Sequence, residues 1–264
     1  MKISLITVSY NSAATIEDTF NSVLTQTYSD VEYIVVDGNS TDNTIDIIKE
    51  YEKRFDGKMR WVSQPDNGLY DAINKGIKMA TGDIVGVIHS DDFYKYDTVL
   101  EQIAETFTKE TNIQVVFGDV RFVNPDNLQK TVRYYSSKKF SLRRFRFGFM
   151  PAHPTFFTYK SNFENLGDYK TIYTIAADFE LLLRFLYLHK LSYHYLPLDM
   201  ITMRTGGLST KSYKSNILLN KEIVKACKEN DVYTNLFFVY LKYFVKIFEL
   251  VNTKEGKKKI RNSN

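Results

Sequence analysis

Three short runs of branched apolar residues each end on a polar turn, and this alternation constrains the fold more than any other feature of the chain. Lys2–Val8 ends in TVSYN, Val31–Val36 ends in DGNSTD, and DIVGVIH at Asp83–His89 ends in HSDD. Apolar runs of this length between polar turns are buried strands, and Arg60–Ser63 reads as another. Between the strands, apolar residues recur at helical spacing. Ile16, Phe20, Val23 and Leu24 follow an Asn11–Ser12 capping signal, and Ile45, Ile47 and Ile48 mark a helix from Thr44 to Tyr51. Ile73, Ile77 and Ala80 line a helix over Tyr70–Ala80 that Gly82 closes, and Val99, Leu100, Ile103, Ala104 and Phe107 line one more. Strand and helix in alternation predict an α/β fold, a mostly parallel twisted sheet flanked by helices on both faces. Such sheets bind ligands beyond the carboxyl ends of their strands, so the three polar turns are where function is expected.

The second half is less regular. Val115–Val123 and Lys130–Tyr135 read as antiparallel strands, followed by the basic-aromatic stretch RRFRFGFM at Arg143–Met150. After HPTFF at His153–Phe157 come a helix around Asp178–His189, the loop RTGGLST at Arg204–Thr210, and a helix from Tyr213 to Glu229. With no internal repeat and no Pro/Gly-rich boundary, the expectation is one domain over 1–212 and a helical appendage over 213–264.

Charge and cysteine content exclude several classes. The net charge of +4, from 35 basic and 31 acidic residues, leaves no basic stripe for nucleic acid. A single cysteine, Cys227 in IVKACKE, excludes an internal disulfide and a cysteine zinc cluster, and it reads as a buried small hydrophobe. The start, MKISLITVSYN, reads as a strand rather than a signal peptide, and no apolar run approaches the roughly 20 residues of a spanning helix. The expectation is a cytoplasmic protein.

The strand-end carboxylates are the physical clue to chemistry. Asp91 and Asp92 at the end of DIVGVIH could hold a hard divalent cation, Mg2+ or Mn2+, with a diphosphate supplying further ligands. The metal would neutralise charge on a departing nucleoside diphosphate. The plainer reading is a polar turn capping the next helix, an end that Asp97 before Thr98 already serves. Asp37 precedes the Gly38 turn and could accept from a base N–H or a ribose hydroxyl, while Ser40, Thr41 and Asp42 read as caps of the following helix.

TVSYN at Thr7–Asn11, VVDGNSTDNT at Val35–Thr44, DNGLYDAINKGIKMATGD at Asp66–Asp83 and HSDDF at His89–Phe93 follow one another in order. Together they resemble the nucleotide-binding half of a family 2 glycosyltransferase of the GT-A fold. HPTFF, ADFELLLR and RTGGLST are similar to the same family less tightly, and DNGLYDAINKG followed by HPTFF is similar to bacterial enzymes that build capsules, O-antigens and exopolysaccharides. The resemblance implies a nucleotide-binding half over 1–110 and an acceptor and catalytic half over 111–212. It also implies an inverting transfer of a sugar from a nucleotide-sugar, with a UDP-sugar favoured, to an acceptor hydroxyl. By the same resemblance Thr7, Val8 and Tyr10 would edge the nucleobase pocket, Asp37 would read the base, and Asp71 would hold nucleotide or donor sugar. Ser90 would sit with the donor, and Asp91 matches the metal-binding acid of a DxD-type motif. Family members commonly carry an acid or Asn where this chain has His89, which lowers the local charge. Asp178 in IAADFELLLRF resembles the catalytic-base position, with Glu180 its nearest confusable neighbour. First-turn complementation of the helix dipole is the structural alternative for both.

Other features leave two readings open. Arg204 and Gly206–Gly207 could close over a diphosphate or form a surface turn. His153 and Asp92 could face acceptor or phosphates, or be structural. Leu236–Val251 is apolar apart from Lys242, Lys246 and Glu249 on one helical face, with Lys254, Lys257, Lys258, Lys259 and Arg261 beyond it. It fits a core helix, or an interfacial helix on an anionic membrane serving a glycan or lipid-linked acceptor. Two other function classes compete: another nucleotide-diphosphate enzyme such as a nucleotidyltransferase, against which stands the lack of a Gly-rich phosphate loop, and a non-catalytic membrane-associated binding module.

Overall fold

The computed structural model describes residues 1–206 and 213–243. In chain order the first half is β1 (Ile3–Ser9), α1 (Ile16–Leu24), β2 (Val31–Asp37), α2 (Thr44–Arg54), β3 (Met59–Ser63), α3 (Leu69–Met79) and β4 (Ile84–Val87). The order β3-β2-β1-β4 is parallel throughout, with Ile3 paired to Val31 on one side and Ile84 on the other. Connections run outward from β1 to β3 and then return to β4, so the carboxyl ends of β1 and β4 form a switch point of the kind that opens a ligand crevice.

The sheet sorts its side chains by the period of two that a pleated strand imposes. Ile3 and Leu5 of β1, with Tyr33 and Val35 of β2, face one core built with α1, α2 and α4 (Val99–Lys109). Ile6 and Val8, with Ile34 and Val36, face the other, built with α3, α6 (Ala177–Leu183) and α7 (Tyr213–Glu229). Because both faces are covered, β1 and β2 are mostly apolar along their length, with the few polar residues inside them, Ser4, Thr7 and Glu32, buried as well.

The second half departs from the parallel pattern. β8 (Phe157–Tyr159) inserts antiparallel between β4 and β6 (Val115–Asn124), while β9 (Tyr193–Arg204) runs parallel to β6 and carries the short β5 (Phe93–Tyr94) on its far edge. β7 (Asn127–Tyr135) pairs antiparallel with β6, as the sequence predicts. The β8 register sets Phe157 opposite Gly86, so the start of β8 lies beside the end of β4. The remaining helices are α5 (Lys160–Leu166), a π turn (Arg184–Leu188) extending α6, and α8 (236–243).

Several capping expectations are corrected. Asn11 lies in the left-handed region at φ 49°, and α1 is preceded by Thr15 with no side-chain cap. Asn11 instead accepts from Thr41 N–H at 2.9 Å and ties the β1 turn to the β2 turn. Asp97 does not cap α4, whose preceding residue is Thr98; the Asp97 carbonyl accepts from Thr27 N–H at 2.8 Å. Lys242 is 3% exposed, while Phe237 on the same helix is 69% exposed. Cys227 is fully buried, which pushes its thiol up to about 12. Lys246, Glu249, the basic tail and positions 207–210 of RTGGLST lie outside the described residues.

Candidate active site

The β1 and β2 turns are stitched into one rim. Asn11 N–H donates to Ser40 Oγ at 2.8 Å, Ser12 N–H to Thr44 Oγ1 at 2.8 Å, and Ala13 N–H to Asp42 Oδ2 at 3.1 Å. Asp42 also accepts from Thr44 N–H at 3.0 Å, but the cap position of α2 is Asn43 with no side-chain cap, so the expected capping by Ser40, Thr41 and Asp42 is corrected. Asp37, fully buried at the end of β2, accepts four hydrogen bonds: from Ser9 Oγ and Ser40 Oγ on Oδ1, and from Ser40 N–H and Ser63 Oγ on Oδ2. It is committed to the rim, and a base N–H would reach it only in place of a rotatable serine hydroxyl. Thr7 is a correction. Its hydroxyl is sealed in the sheet, 2.7 Å from Tyr33 Oη and donating to the Ile88 carbonyl at 2.9 Å, so the side chain does not edge a pocket.

Val8 is also buried, whereas Tyr10 is 64% exposed. Tyr10 lies against Gly38, where an added Cβ would stand 3.4 Å from the ring and 2.5 Å from Asp66 Oδ2. Gly38 therefore lets Asp66 approach the base of the β2 turn beside an exposed aromatic face. Asp66 thereby joins the candidate residues at this end of the sheet, and nothing in its motif DNGLYDAINKG marks it out.

The motif DNGLYDAINKG resolves into two faces of α3. Asp71 and Lys75, one turn apart, pair at 3.2 Å on the open side. A hydrogen bond from Asn67 N–H, helped by Lys75, holds the Asp71 carboxyl below its ordinary range. On the other face Tyr70 Oη donates to the Ile175 carbonyl at 2.6 Å and stacks on Tyr169 at 5.8 Å between centroids. Asn74 both donates to the Tyr169 carbonyl and accepts from Tyr169 N–H, at 2.8 and 3.0 Å. This second face holds the segment that leads into α6 and Asp178. From the opposite side Glu222 of α7 accepts N–H bonds from Thr174, Ile175 and Ala176. Tyr70, Asn74 and Glu222 were missed as positioning groups; the four-residue spacing of Tyr70 and Asn74 was the available signal.

Asp91 and Asp92 occupy different environments. Asp91 is half-buried, and its carboxylate has no hydrogen bond or ion pair among the described residues. Asp92 is 1% exposed, and neither of its carboxylate oxygens has a partner there. Burial, and then the charge of Asp91, push its carboxyl well above the usual carboxylate range, with Arg204 opposing. Asp92 is thus a buried acid and does not face acceptor or phosphates. Ser90 Oγ lies 2.9 Å from Ser12 Oγ and joins this turn to the β1 rim. Arg204 is the last residue of β9 rather than part of a loop. Its guanidinium donates to the Asp91 carbonyl, pairs with Asp18 of α1, and lies over the Phe93 ring at 5.3 Å. Asp18 was missed because nothing in the amphipathic pattern of α1 distinguishes it from a solvated acid.

His153 and Asp178 meet at this same end of the sheet. His153 sits in a 3-10 turn just before β8, which the antiparallel register carries to the end of β4 and His89. The two imidazole rings are 6.1 Å apart, and His153 Nδ1 is 3.2 Å from Asp178 Oδ2. Asp178, in the first turn of α6, also accepts from Phe179 N–H at 2.7 Å, and its side chain is 14% exposed. Glu180 is fully buried and paired with Arg184 at 3.1 Å and Lys170 at 2.9 Å, so the two acids of α6 are separated by environment. Burial, and then His153, lower His89 to about 4 against the pull of Asp91. The imidazole is neutral near pH 7 and adds no charge beside Asp91.

No group of three or more His, Cys, Asp or Glu side chains converges as a metal cage among the described residues. The uncommitted Asp91 carboxylate fits a cation that takes one protein ligand and draws the rest from water and a diphosphate.

The family model for glycosyl transferase family 2 matches residues 4–167. A Mycobacterium tuberculosis protein described as an uncharacterized glycosyltransferase is 34% identical over 187 residues, covering 69% of this chain and 68% of its own. Among solved structures, S. aureus TarS 1–349 in complex with UDP-GlcNAc superposes with a TM-score of 0.68 at 20% identity, over 88% of this chain and 68% of that one. Against a longer TarS chain the coverage falls to 40% of that chain. The mannosyltransferase PcManGT from Pyrobaculum calidifontis, solved with GDP-Man and Mn2+, gives a TM-score of 0.62 at 17% identity, over 86% of this chain and 63% of that one. The two structural likenesses establish the fold, and the family match, which spans more than half of the sequence, makes this chain a member of glycosyl transferase family 2.

Proposed function

We propose that this glycosyltransferase moves a sugar from a UDP-sugar to an acceptor hydroxyl with inversion, in the assembly of a bacterial surface polysaccharide or glycolipid. The observation that carries the reading is the convergence of Asp91, His89, His153 and Asp178 at the carboxyl end of β4. Asp178 is the general base. The acceptor oxygen forms its bond to the anomeric carbon as that carbon's bond to the diphosphate oxygen breaks. The acceptor proton passes to the Asp178 carboxylate, and the bonding pair leaves with UDP. His153 N–H holds Oδ2 and sets the carboxylate's orientation. Asp91 is the residue that would hold Mn2+ or Mg2+, whose chemistry there is to neutralise charge on the leaving diphosphate. Tyr10 and Asp66 form the nucleoside end of the cleft, Val8 and Asp37 fix the strand ends behind it, and Asp71 with Ser90 lies on the donor side. Arg204 acts on the donor by holding the Asp91 backbone. The acceptor is a glycan or a lipid-linked saccharide, met at the cytoplasmic face of a membrane.

The test is thermal stability with UDP, GDP, CDP or TDP, each with Mn2+ or EDTA, on the full chain and on Asp91→Ala. A ligand at 100 times its dissociation constant adds about 2.7 kcal/mol, which moves the midpoint by several degrees. A shift confined to UDP, dependent on metal and lost in Asp91→Ala, supports the donor reading. A shift with GDP alone reassigns the base, and no shift with any nucleotide overturns the reading. Inversion is tested separately by the anomeric NMR signal of the first product formed.

A further inference from the structure

Over its described residues, 236–243, helix α8 is packed with its polarity reversed. Val239 and Lys242 point inward, fully buried and 3% exposed, against the 3-10 turn Leu142–Phe147 and its terminal Gly148. At Gly148, in the left-handed region at φ 72°, an added Cβ would stand 3.3 Å from Val239 Cγ1 and 3.4 Å from Lys242 Nζ. The outward side carries Leu236, Phe237 and Tyr240, with Tyr233 just before the helix, exposed by 43, 69, 41 and 74%. A helix of a water-facing protein places its lysine out and its aromatics in.

Cationic groups border this surface. The 3-10 turn follows β7 and presents Arg143 to solvent, while Arg146 lies over Phe238 at 4.7 Å and Phe147 at 5.5 Å. Thr234 Oγ1 donates to the Arg146 carbonyl and fixes the approach to α8. Asp231 is the one carboxylate over 230–243, and beyond residue 243 the sequence continues through FVKIFELV to a tail with Lys254, Lys257, Lys258, Lys259 and Arg261 against Glu255. Exposed aromatics bordered by Arg and followed by a basic segment complement an anionic lipid surface, where aromatic rings enter the interface and cations meet headgroup phosphates. The same 3-10 turn points Phe145 inward onto Phe179, at 5.6 Å, the residue after Asp178.

We infer that Tyr233, Leu236, Phe237 and Tyr240, with the exposed Arg143 on the adjoining 3-10 turn, form a docking surface for an anionic phospholipid membrane. It rests on the proposed membrane-face acceptor, and it would bring the α6 end of the cleft against the bilayer so that a lipid-linked acceptor enters from the membrane side. No helix among the described residues is long and apolar enough to cross a membrane.

The test is co-flotation of the full chain with vesicles of phosphatidylcholine plus phosphatidylglycerol, and with phosphatidylcholine alone. The expected result is binding to the anionic vesicles only, weakened by salt. In the full chain, Phe237→Ser with Tyr240→Ser should lower partitioning about tenfold or more, given the apolar area two aromatic rings bury. Arg143→Glu should lower it several-fold. Melting temperature and the nucleotide-induced shift should be unchanged in all three proteins, because the altered side chains are exposed. Three outcomes overturn the inference: no flotation of the full chain, flotation insensitive to the double substitution, or a self-associated form in solution that the double substitution dissociates. The last would assign the surface to a second copy. Failure of the nucleotide shift with flotation intact would sink the donor reading and leave the docking surface standing.

Discussion

Asn74 and Tyr169 grip one another through both backbone groups of Tyr169, the Asn74 amide donating to its carbonyl and accepting from its N–H at 2.8 and 3.0 Å. The pair joins α3, the helix that carries Asp71, to the segment that leads to Asp178. Asn74 is 9% exposed, so its removal strands two backbone groups away from water. Asn74→Ala should therefore cost about 1–3 kcal/mol. The melting midpoint should fall by several degrees, at roughly 2–4 °C per kcal/mol for a chain of this size. Nucleotide affinity should stay within about twofold while transfer rate falls, because the loss lies on the Asp178 side of the cleft. A weaker nucleotide response with an unchanged rate would show that the pair serves the donor instead.

Gly86 of β4 is where β8 and its Phe157 cross closest. A Cβ there would stand 2.1 Å from the Phe157 ring, which is itself fully buried. Gly86→Ala should destabilise by about 1–3 kcal/mol through overpacking. Phe157→Leu should cost stability alone but less than additively with Gly86→Ala, because it makes room for the methyl group. Denaturant melts of the four proteins in the cycle measure the coupling. Strict additivity would mean that the strands separate rather than the ring moving.

The first half of the fold was legible because β1, β2 and β4 are covered on both faces and therefore read as mostly apolar runs, broken by few polar residues such as Ser4, Thr7 and Glu32, with helical spacing between them. The strand-end rule then put attention on Asp37 and Asp91 without any structure. The strand-end pattern alone did not separate Asp91 from Asp92, which only the family resemblance distinguished; the way the strand ends leaves Asp91 half-buried and seals Asp92. Nor could it bring His153 to His89, since that meeting depends on β8 entering antiparallel beside β4. The roles of Tyr70 and Asn74 were hidden for a related reason. Their i,i+4 spacing gives a face, but the partner of that face lies some 95 residues later at Tyr169. That Lys242 turns inward was not legible, because helical periodicity orders residues around an axis without fixing which side turns inward.

Acid stability should depend on Glu32. Burial raises its carboxyl, but hydrogen bonds from Ser4, Thr81 and Lys2 outweigh that and hold it at about 2. Arg60 adds an ion pair at 3.0 Å. A folded value below the unfolded one means the stabilisation is fully present above the unfolded value, 4.5, and is lost as pH falls through about 2. The contribution is on the order of 2–3 kcal/mol at neutral pH. Glu32→Gln should be less stable at pH 7 and should approach the parent as both are acidified. Urea midpoints at pH 7, 4 and 2.5 decide it; parallel curves with a constant gap would mean the loss is one of packing and not of charge.

His153 and Asp178 make separable predictions because one holds the group that the other supplies. Asp178→Asn keeps shape and removes the basic oxygen, so kcat should fall by about 10²–10⁴ with the nucleotide-induced thermal shift intact. His153→Ala leaves the carboxylate in place and removes the N–H at 3.2 Å, so kcat should fall less, by about tenfold, with little change in donor KM. His153→Asn retains an amide donor near the same point and should recover part of the loss. Combining His153→Ala with Asp178→Asn should cost little more than Asp178→Asn alone, since orienting a missing base has no value. If the double variant were instead slower by the product of the two factors, His153 would act on substrate directly, and the imidazole rather than the carboxylate would be the nearer partner of the acceptor hydroxyl.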